Sequence, residues 1–383
     1  MNKTSLKIVF GALATFSAAS ALAVNWVPKF SIDTNATYDD NFLMRDNGDE
    51  TWIYAVRPEV SLTFFSPVVK SEIEAKLAVR RYSEFDQFDS EDPSFQWNNS
   101  YKTERATWRF DTGYSENSQR DAAEQDTGLF DSNTIVETIS ADPSVVFRAT
   151  EKDDVGLSLS YVERNYDGDD FAGIFADNDN KTVGLNWQHK VDEVLSTTAS
   201  VSASQYSANR SNIGTNQTDY ERITAGFIYK YSEALTIDGS AGYFQTDREE
   251  RRLTGPVALI RSDSSGLLLN MAFNYSLEKT DWTFSLSRGL YPSSQGVVEE
   301  QDRIGLGYQH KFSARTSSGI DIAWYKTDAI LENRESVRVS PYYHYQLTPK
   351  LKLQTSYIFR LFDRELSGQT ESNQLRVGLR YGF

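Results

Sequence analysis

The 383-residue sequence contains no cysteine, only three histidines and no long apolar segment after residue 23. Without cysteine, neither a disulfide framework nor a thiolate zinc site can form. A membrane-spanning helix needs about 18 continuous apolar residues, and nothing after residue 23 approaches that length. The formal net charge is −15, and a chain this acidic is a poor general binder of nucleic acid. We therefore expect no nucleic-acid partner.

The first 23 residues have the pattern of a secretory signal peptide. A short basic start with Lys3 and Lys7 precedes an apolar run that ends at Ala21-Leu22-Ala23, a small-residue cleavage site. The run is too short to favour a retained membrane helix. We predict that residues 1–23 are a cleaved signal peptide and that residues 24–383 form one exported domain, with a formal charge of about −17 once the two lysines are removed.

The exported part combines a polar average with many aromatic residues. The mean hydropathy is −0.52, yet the sequence carries 22 Phe, 21 Tyr and 7 Trp. A transmembrane β-barrel shows this combination because only alternate residues face lipid, whereas the lumen and loops are polar. Aromatic residues also gather near strand ends, as expected at the two membrane interfaces; examples are Tyr38, Tyr54 and Trp324.

Period-two alternation recurs in segments of about ten residues, the length that a tilted strand needs to cross a bilayer. The last segment is typical: its apolar positions are Leu375, Val377, Leu379, Tyr381 and Phe383, and polar or small residues lie between them. Eighteen such segments can be placed, although sixteen is also possible. We predict an all-β fold: a single antiparallel up-and-down transmembrane barrel, whose even strand number would put both termini in the periplasm.

The connections alternate between short and long. Short turns are expected around 66–67, 102–104, 151–153, 232–233, 279–280, 313–315 and 348–350, and long loops at 39–50, 83–93, 115–132, 167–180, 207–218, 247–263 and 292–300. In bacterial barrels the short turns face the periplasm and the long loops face the exterior. The loops are strongly acidic, notably at 84–92 and 167–179, and such clusters of oxygen ligands could hold calcium, although neither stretch has the spacing of a twelve-residue calcium loop. We interpret them as solvated extracellular surface.

Nothing in the sequence points to an enzyme, a cofactor or a metal centre. The alternation assigns His189, His310 and His344 to the lipid-facing positions, where imidazoles suit an interface better than a catalytic site. No Ser-His pair with a third orienting group is recognisable. Paired carboxylates for glycoside hydrolysis stay open, because loops can bring distant acids together.

The alternate positions, which should face the lumen, carry many charged residues. Charges are tolerated inside a membrane protein only in water or in mutual pairs. The candidate translocation residues are Arg57, Arg303, Arg338, Arg360, Arg376, Arg380, Asp33 and Glu59. Because the last strand of a closed barrel pairs with the first, the final arginines and Arg57 should share one wall. Either they form a basic strip for an anionic cargo, or they stiffen the wall by pairing with acids such as Asp33 and Glu59.

Both ends of the exported part resemble a known family. The opening Ala36-Thr37-Tyr38-Asp39-Asp40-Asn41-Phe42 and the closing Leu375-Arg376-Val377-Gly378-Leu379-Arg380-Tyr381-Gly382-Phe383 resemble the β-barrel porins that accompany exopolysaccharide secretion systems. The resemblance implies a wide barrel that delivers polysaccharide to the cell surface, with a periplasmic export apparatus as partner. It implies no catalytic residues. The terminal Tyr381 and Phe383 look like the signal read by the barrel-insertion machinery.

Three functional classes follow from this interpretation. The first is a wide porin-like outer-membrane channel for exopolysaccharide. The second is a general diffusion porin for small solutes, whose channel a loop would narrow; residues 115–132 are the candidate. The third is a structural or adhesin barrel, favoured if the chain's own side chains plug the lumen. In every case we expect contact with outer-membrane lipid and lipopolysaccharide.

Overall fold

The alternating segments form long antiparallel strands, as their period-two pattern predicts. Eighteen strands are present in the described residues: β1 (Trp26–Asp39), β2 (Thr51–Phe65), β3 (Val69–Tyr82), β4 (Ser90–Lys102), β5 (Ala106–Ser118), β6 (Ile135–Arg148), β7 (Asp153–Asp167), β8 (Asp177–Lys190), β9 (Leu195–Arg210), β10 (Gly214–Lys230), β11 (Leu235–Arg252), β12 (Ala258–Ser276), β13 (Thr280–Pro292), β14 (Val298–Lys311), β15 (Thr316–Asp328), β16 (Arg334–Thr348), β17 (Leu351–Arg364) and β18 (Gly368–Gly382). Short 3-10 turns occur at Asp86–Phe88 and Gln119–Ala122.

The computed structural model describes residues 26–46, 48–167, 174–210, 214–252, 258–329, 332–366 and 368–383. The expected signal peptide, residues 1–23, lies outside the described residues. Among those that are described, no helix is long and apolar enough to cross a membrane.

The sheet closes on itself. Each strand pairs with its neighbours in sequence, and β1 also pairs with β18, from Ser31 opposite Gly382 to Asp39 opposite Gln374. The ring is therefore closed, so that no described strand is an edge strand over its whole length. β12 pairs with β13 only from Leu269 to Ser276, and its first part pairs, among the described strands, with β11 alone. The predicted all-β barrel with eighteen strands is confirmed, and the alternative of sixteen is wrong.

The pairing register separates a lumen face from an outer face. Leu269 and Leu379 lie on the outer, largely apolar face, whereas Arg57 and Asp33 face the lumen and contact each other there. One assignment from the sequence is wrong: His344 faces the lumen, because it lies opposite Ser317 and Gln354 in the same row as Tyr342. A register shift between Gln346 and Thr348 near the end of β16 obscures the alternation there.

Two of the expected long loops are mostly strand. β9 and β10 continue to Arg210 and from Gly214, and β11 and β12 continue to Arg252 and from Ala258. Cross-strand pairs such as Arg261 with Glu249, on the outer face, accompany this extension. The polar composition of 207–218 and 247–263 suggested loops, but polar residues can alternate in a ladder that no longer has to face lipid.

Candidate functional site

The predicted lumen charges lie together where the barrel closes. Because β1 lies between β18 and β2, Asp33 is directly opposite Arg380 on one side and Arg57 on the other. Arg57 Nη1 is 3.3 Å from Asp33 Oδ1, and Arg380 Nη2 is 3.5 Å from Glu59 Oε2. All four side chains are partly exposed, so each pair stabilises the wall by only about 0–1 kcal/mol.

Two further arginines have acidic partners. Arg360 Nη2 is 2.9 Å from Asp39 Oδ2, and this pair is buried. Asp39 also accepts hydrogen bonds from Ser372 and Gln374 on β18, so its charge is well compensated. Arg338 Nη1 is 3.8 Å from a carboxylate oxygen of Glu124, which belongs to the loop between β5 and β6. The first pair joins strands, and the second joins the wall to a loop.

Arg303 and Arg376 have no acidic partner within ion-pairing distance in the described part of the chain. Arg376 donates from Nε to Thr37 Oγ1 at 3.2 Å. Arg303 donates to Gln301 and lies near two tyrosine rings. All eight candidate residues thus face the lumen, but wall stiffening explains only some of the arginines. Their role in translocation stays a prediction.

The candidate insertion signal lies on the outer face of β18. The rings of Tyr381 and Phe383 meet edge to face with centroids 4.7 Å apart. The Phe383 N–H donates to the Phe30 carbonyl of β1 at 2.9 Å. This aromatic end is therefore placed at the seam of the barrel, and its recognition by insertion machinery stays a prediction.

The loop that follows β5 crosses the lumen. This crossing loop, residues 119–134, leaves β5 after Ser118 and enters β6 at Ile135. Several of its side chains are buried, among them Gln119, Ala123 and Phe130. Its partners lie on distant strands: the Gln301 amide donates to the Gln125 carbonyl at 2.8 Å, from β14. The prediction that residues 115–132 include a loop that folds into the lumen is confirmed.

Asp126 is the main polar anchor of the crossing loop. Its carboxylate accepts from the Ser293 hydroxyl at 2.8 Å, the Ser294 N–H at 3.2 Å and Gln119 Nε2 at 3.0 Å. The Asp126 side chain is buried, so these donors replace the hydration that the charge would otherwise have. The carboxylate thereby ties the crossing loop to the segment between β13 and β14.

An apolar contact fixes the other side of the crossing loop. Phe130 packs edge to face against Phe362 of β17, with centroids 5.3 Å apart, and Met44 and Ala123 complete this cluster. Gly128 has φ 70°, and a Cβ there would lie 2.6 Å from the Phe362 ring. Glycine is required here both by the left-handed backbone and by the close approach of the ring.

Arg120 joins the crossing loop to the loop after β1. Its guanidinium carbon is 3.5 Å from the centre of the Phe42 ring, and Nη2 donates to the Phe42 carbonyl at 2.5 Å. Burial, together with the nearby charge of Arg360, lowers the pKa of Arg120 to about 10. Arg120 therefore stays charged at neutral pH, and the cation–π contact persists.

A second segment, residues 293–297, also folds inward. The Tyr206 hydroxyl donates to the Ser293 carbonyl at 2.8 Å, and the Asn216 amide donates to the Gly296 carbonyl at 2.6 Å. Gly296 has φ 77°, with the Ala176 Cβ 2.9 Å from the position of an added Cβ. The 293–297 segment thus spans from its own strands to β9 and β10, and meets the crossing loop at Asp126.

A buried ion pair lies beside these segments. Glu299 Oε2 is 2.8 Å from Arg334 Nη2, and both side chains are almost fully buried. The next residue of β14, Glu300, alternates to the outer face and pairs with Arg288. Because the outer face is charged here, the Glu299–Arg334 pair lies beyond the apolar band of the barrel. Burial raises the pKa of Glu299 to about 7, although Arg334 acts in the opposite direction. This carboxyl group can therefore change its protonation state near neutral pH.

Sequence reasoning missed Arg222 of β10, which faces the lumen opposite Ser202 and Phe244. The alternation with Ile223 was available as a signal, but the loop assigned to 207–218 concealed the start of the strand.

The acids Glu72, Glu74, Asp111 and Asp142 on β3–β6 also face the lumen and contrast with the basic positions elsewhere on the wall.

Comparison with known proteins identifies similar folds only. No family model matches the sequence, and no curated protein matches it. Among solved structures, the chain is similar to OccK5 (OpdH) of Pseudomonas aeruginosa, with 13% identity, a TM-score of 0.48, and coverage of 93% of this chain and 98% of that one. It is similar to OccAB4 of Acinetobacter baumannii at 9% identity and a TM-score of 0.48, covering 93% and 98%.

A third similar structure is an anion-selective porin from Comamonas acidovorans, at 12% identity and a TM-score of 0.42, with coverage of 94% of this chain and 100% of that one. Identities this low relate the folds and carry no residue roles across. The resemblance to porins of exopolysaccharide secretion therefore stays a prediction.

Proposed function

We propose that the chain is a bacterial outer-membrane channel for small hydrophilic solutes. The observation that carries this proposal is the crossing loop, which is anchored on the far wall by Asp126, Gln125 and Phe130. A polar lumen crossed by a fixed loop leaves a narrow path, as a diffusion porin requires. In the same proposal, the termini and short turns face the periplasm, and the acidic loops face the exterior.

Passage of exopolysaccharide is the less favoured function. A polymer in transit would need the crossing loop and the 293–297 segment to leave the lumen together. That movement would break the hydrogen bonds of Asp126 and expose the Phe130 cluster to water. A purely structural barrel is also less favoured, because the lumen retains a cavity of about 630 Å³ beside these segments.

Reconstitution tests the proposal. Purified full-length protein should give stable ionic currents in planar bilayers and should admit small sugars, but not polysaccharide, in liposome swelling assays. Heat-dependent gel migration would confirm that the barrel is folded. Folded, inserted protein without current or swelling would contradict the channel function. Loss of surface polysaccharide on deletion of the gene, with no uptake defect, would favour export instead.

A further inference from the structure

A cavity in the lumen wall has a consistent chemistry. It lies on β9–β14, between the 293–297 segment and the barrel end that carries the short turns, and has a volume of about 630 Å³. Its lining includes Arg222 and Arg303, together with the hydroxyl groups of residues such as Ser202, Thr224 and Ser240. A third arginine of the lining, Arg288, is already paired with Glu300 at 3.0 Å and Asp302 at 3.6 Å. No aspartate or glutamate is among its lining residues.

Arg222 is held in place without an acidic partner in the described part of the chain. Its Nε donates to Ser202 Oγ at 3.2 Å, and its guanidinium carbon is 5.4 Å from the centre of the Tyr220 ring. The hydrogen bond uses the inner nitrogen, and the ring covers one face. The two terminal nitrogens thus remain as donors toward the cavity.

Arg303 repeats this arrangement on β14. Its Nε donates to the Gln301 amide oxygen, and its guanidinium carbon is 5.3 Å from the Tyr291 ring centre and 5.7 Å from that of Tyr325. Two rings and one hydrogen bond fix the side chain, again without an ion pair among the described residues. The terminal nitrogens of Arg303 are also left for a ligand.

We propose that this cavity binds small hydroxylated carboxylates as they pass. A guanidinium that is already held through Nε loses little entropy on forming the forked pair of hydrogen bonds that suits a carboxylate. The hydroxyl groups between the arginines match the hydroxyls of the solute. Since β10 and β14 are four strands apart, about 19 Å around the wall, the arginines supply two separate anchors. The inference rests on the proposed channel function and names its substrate class.

Three other lumen arginines already have acidic partners. Arg57, Arg360 and Arg380 have carboxylate partners at 3.3, 2.9 and 3.5 Å, which already occupy part of their binding capacity. An incoming anion would have to compete with these acids. At Arg222 and Arg303 no such competitor is present among the cavity-lining residues.

The experiment measures binding and current separately, with tartrate as the probe. Saturation-transfer NMR on detergent-solubilised full-length protein reports binding, and bilayer recordings report the reduction of current by tartrate. Arg222→Gln and Arg303→Gln should each remove one of the two tartrate anchors, and the double variant should weaken tartrate binding about tenfold or more, as loss of a charged hydrogen bond at each anchor predicts. Arg222→Lys keeps the charge but not the fork and should lose part of the affinity.

Arg148→Gln is the matched control, because Arg148 faces the lumen away from the cavity and is half exposed, with its Nε 3.8 Å from Asp154. It removes the same charge and should leave tartrate binding unchanged. Equal affinity in all variants would overturn the site, as would binding of inorganic phosphate or neutral erythritol as tight as that of tartrate. Tartrate binding without ionic current would overturn the channel function but support the binding site. Normal current without tartrate binding would overturn the binding site but support the channel function.

Discussion

Asp126 holds the crossing loop to the 293–297 segment, so its replacement tests whether that contact sets the channel width. Asp126→Ala removes the acceptor of two hydrogen bonds from the 293–297 segment, donated by Ser293 and Ser294, and of one within the crossing loop, donated by Gln119. Hydrogen bonds to a charged group contribute about 1.5–3 kcal/mol each, but such effects are not additive. We expect the loop to lose about 3 kcal/mol of attachment, which would raise the detached population about 100-fold.

The assay is single-channel recording in planar bilayers. Asp126→Ala should show longer and more frequent transitions to a higher conductance than wild type, because detachment opens the lumen. Asp131→Ala is the control: Asp131 lies in the same loop, but its pair with Arg45 at 3.3 Å is exposed and should contribute about 0–1 kcal/mol. Identical conductance and gating in the two variants would refute the assignment of Asp126 as an anchor.

Two further predictions test the membrane register and the buried pair. Leu269→Arg puts a charge on the outer face and should destabilise the barrel by about 2–4 kcal/mol, measured by unfolding titrations in lipid. Asn270→Arg, on the lumen face, should destabilise the barrel less. Equal destabilisation by the two substitutions would contradict the register. Because the pKa of Glu299 is raised to about 7 in the folded state, its contribution to stability is greatest below its unfolded pKa and is lost as pH rises through about 7. The melting temperature should therefore fall between pH 5 and 8 in wild type, and Glu299→Gln should reduce that dependence.

The number of strands and most of their faces could be predicted from the sequence because a barrel wall constrains every second residue. Leu375, Val377 and Leu379 face outward in the structure, and Arg376 faces inward, as the alternation indicates. The alternation no longer identifies strands where they extend beyond the apolar band of the barrel. Around Arg248 and Glu250 both faces are polar, so the pattern could not distinguish a strand from a loop.

The anchors of the inward segments could not be predicted. The contact of Asp126 with Ser293 joins residues 167 positions apart, and that of Gln125 with Gln301 joins residues 176 apart. Such contacts depend on how far each loop reaches across a closed ring, and no local pattern encodes that distance. The sequence did indicate a candidate loop through its length, but not which strands would receive it.

Net charge is a poor guide to the solute of this protein. The chain is acidic overall, with a formal charge of −15, and acids such as Asp86 and Asp89 belong to its connecting loops. In the lumen, however, Arg222, Arg303 and Arg376 have no acidic partner at ion-pairing distance among the described residues. Loop charges are screened over roughly 10 Å in salt solution, whereas a guanidinium in a narrow polar cavity is screened much less. In the cavity on β9–β14 the charge that a solute meets at close range is therefore set by Arg222 and Arg303, whereas a group of lumen acids lies on β3–β6. The proposed anionic substrate thus rests on this cavity and not on the overall composition.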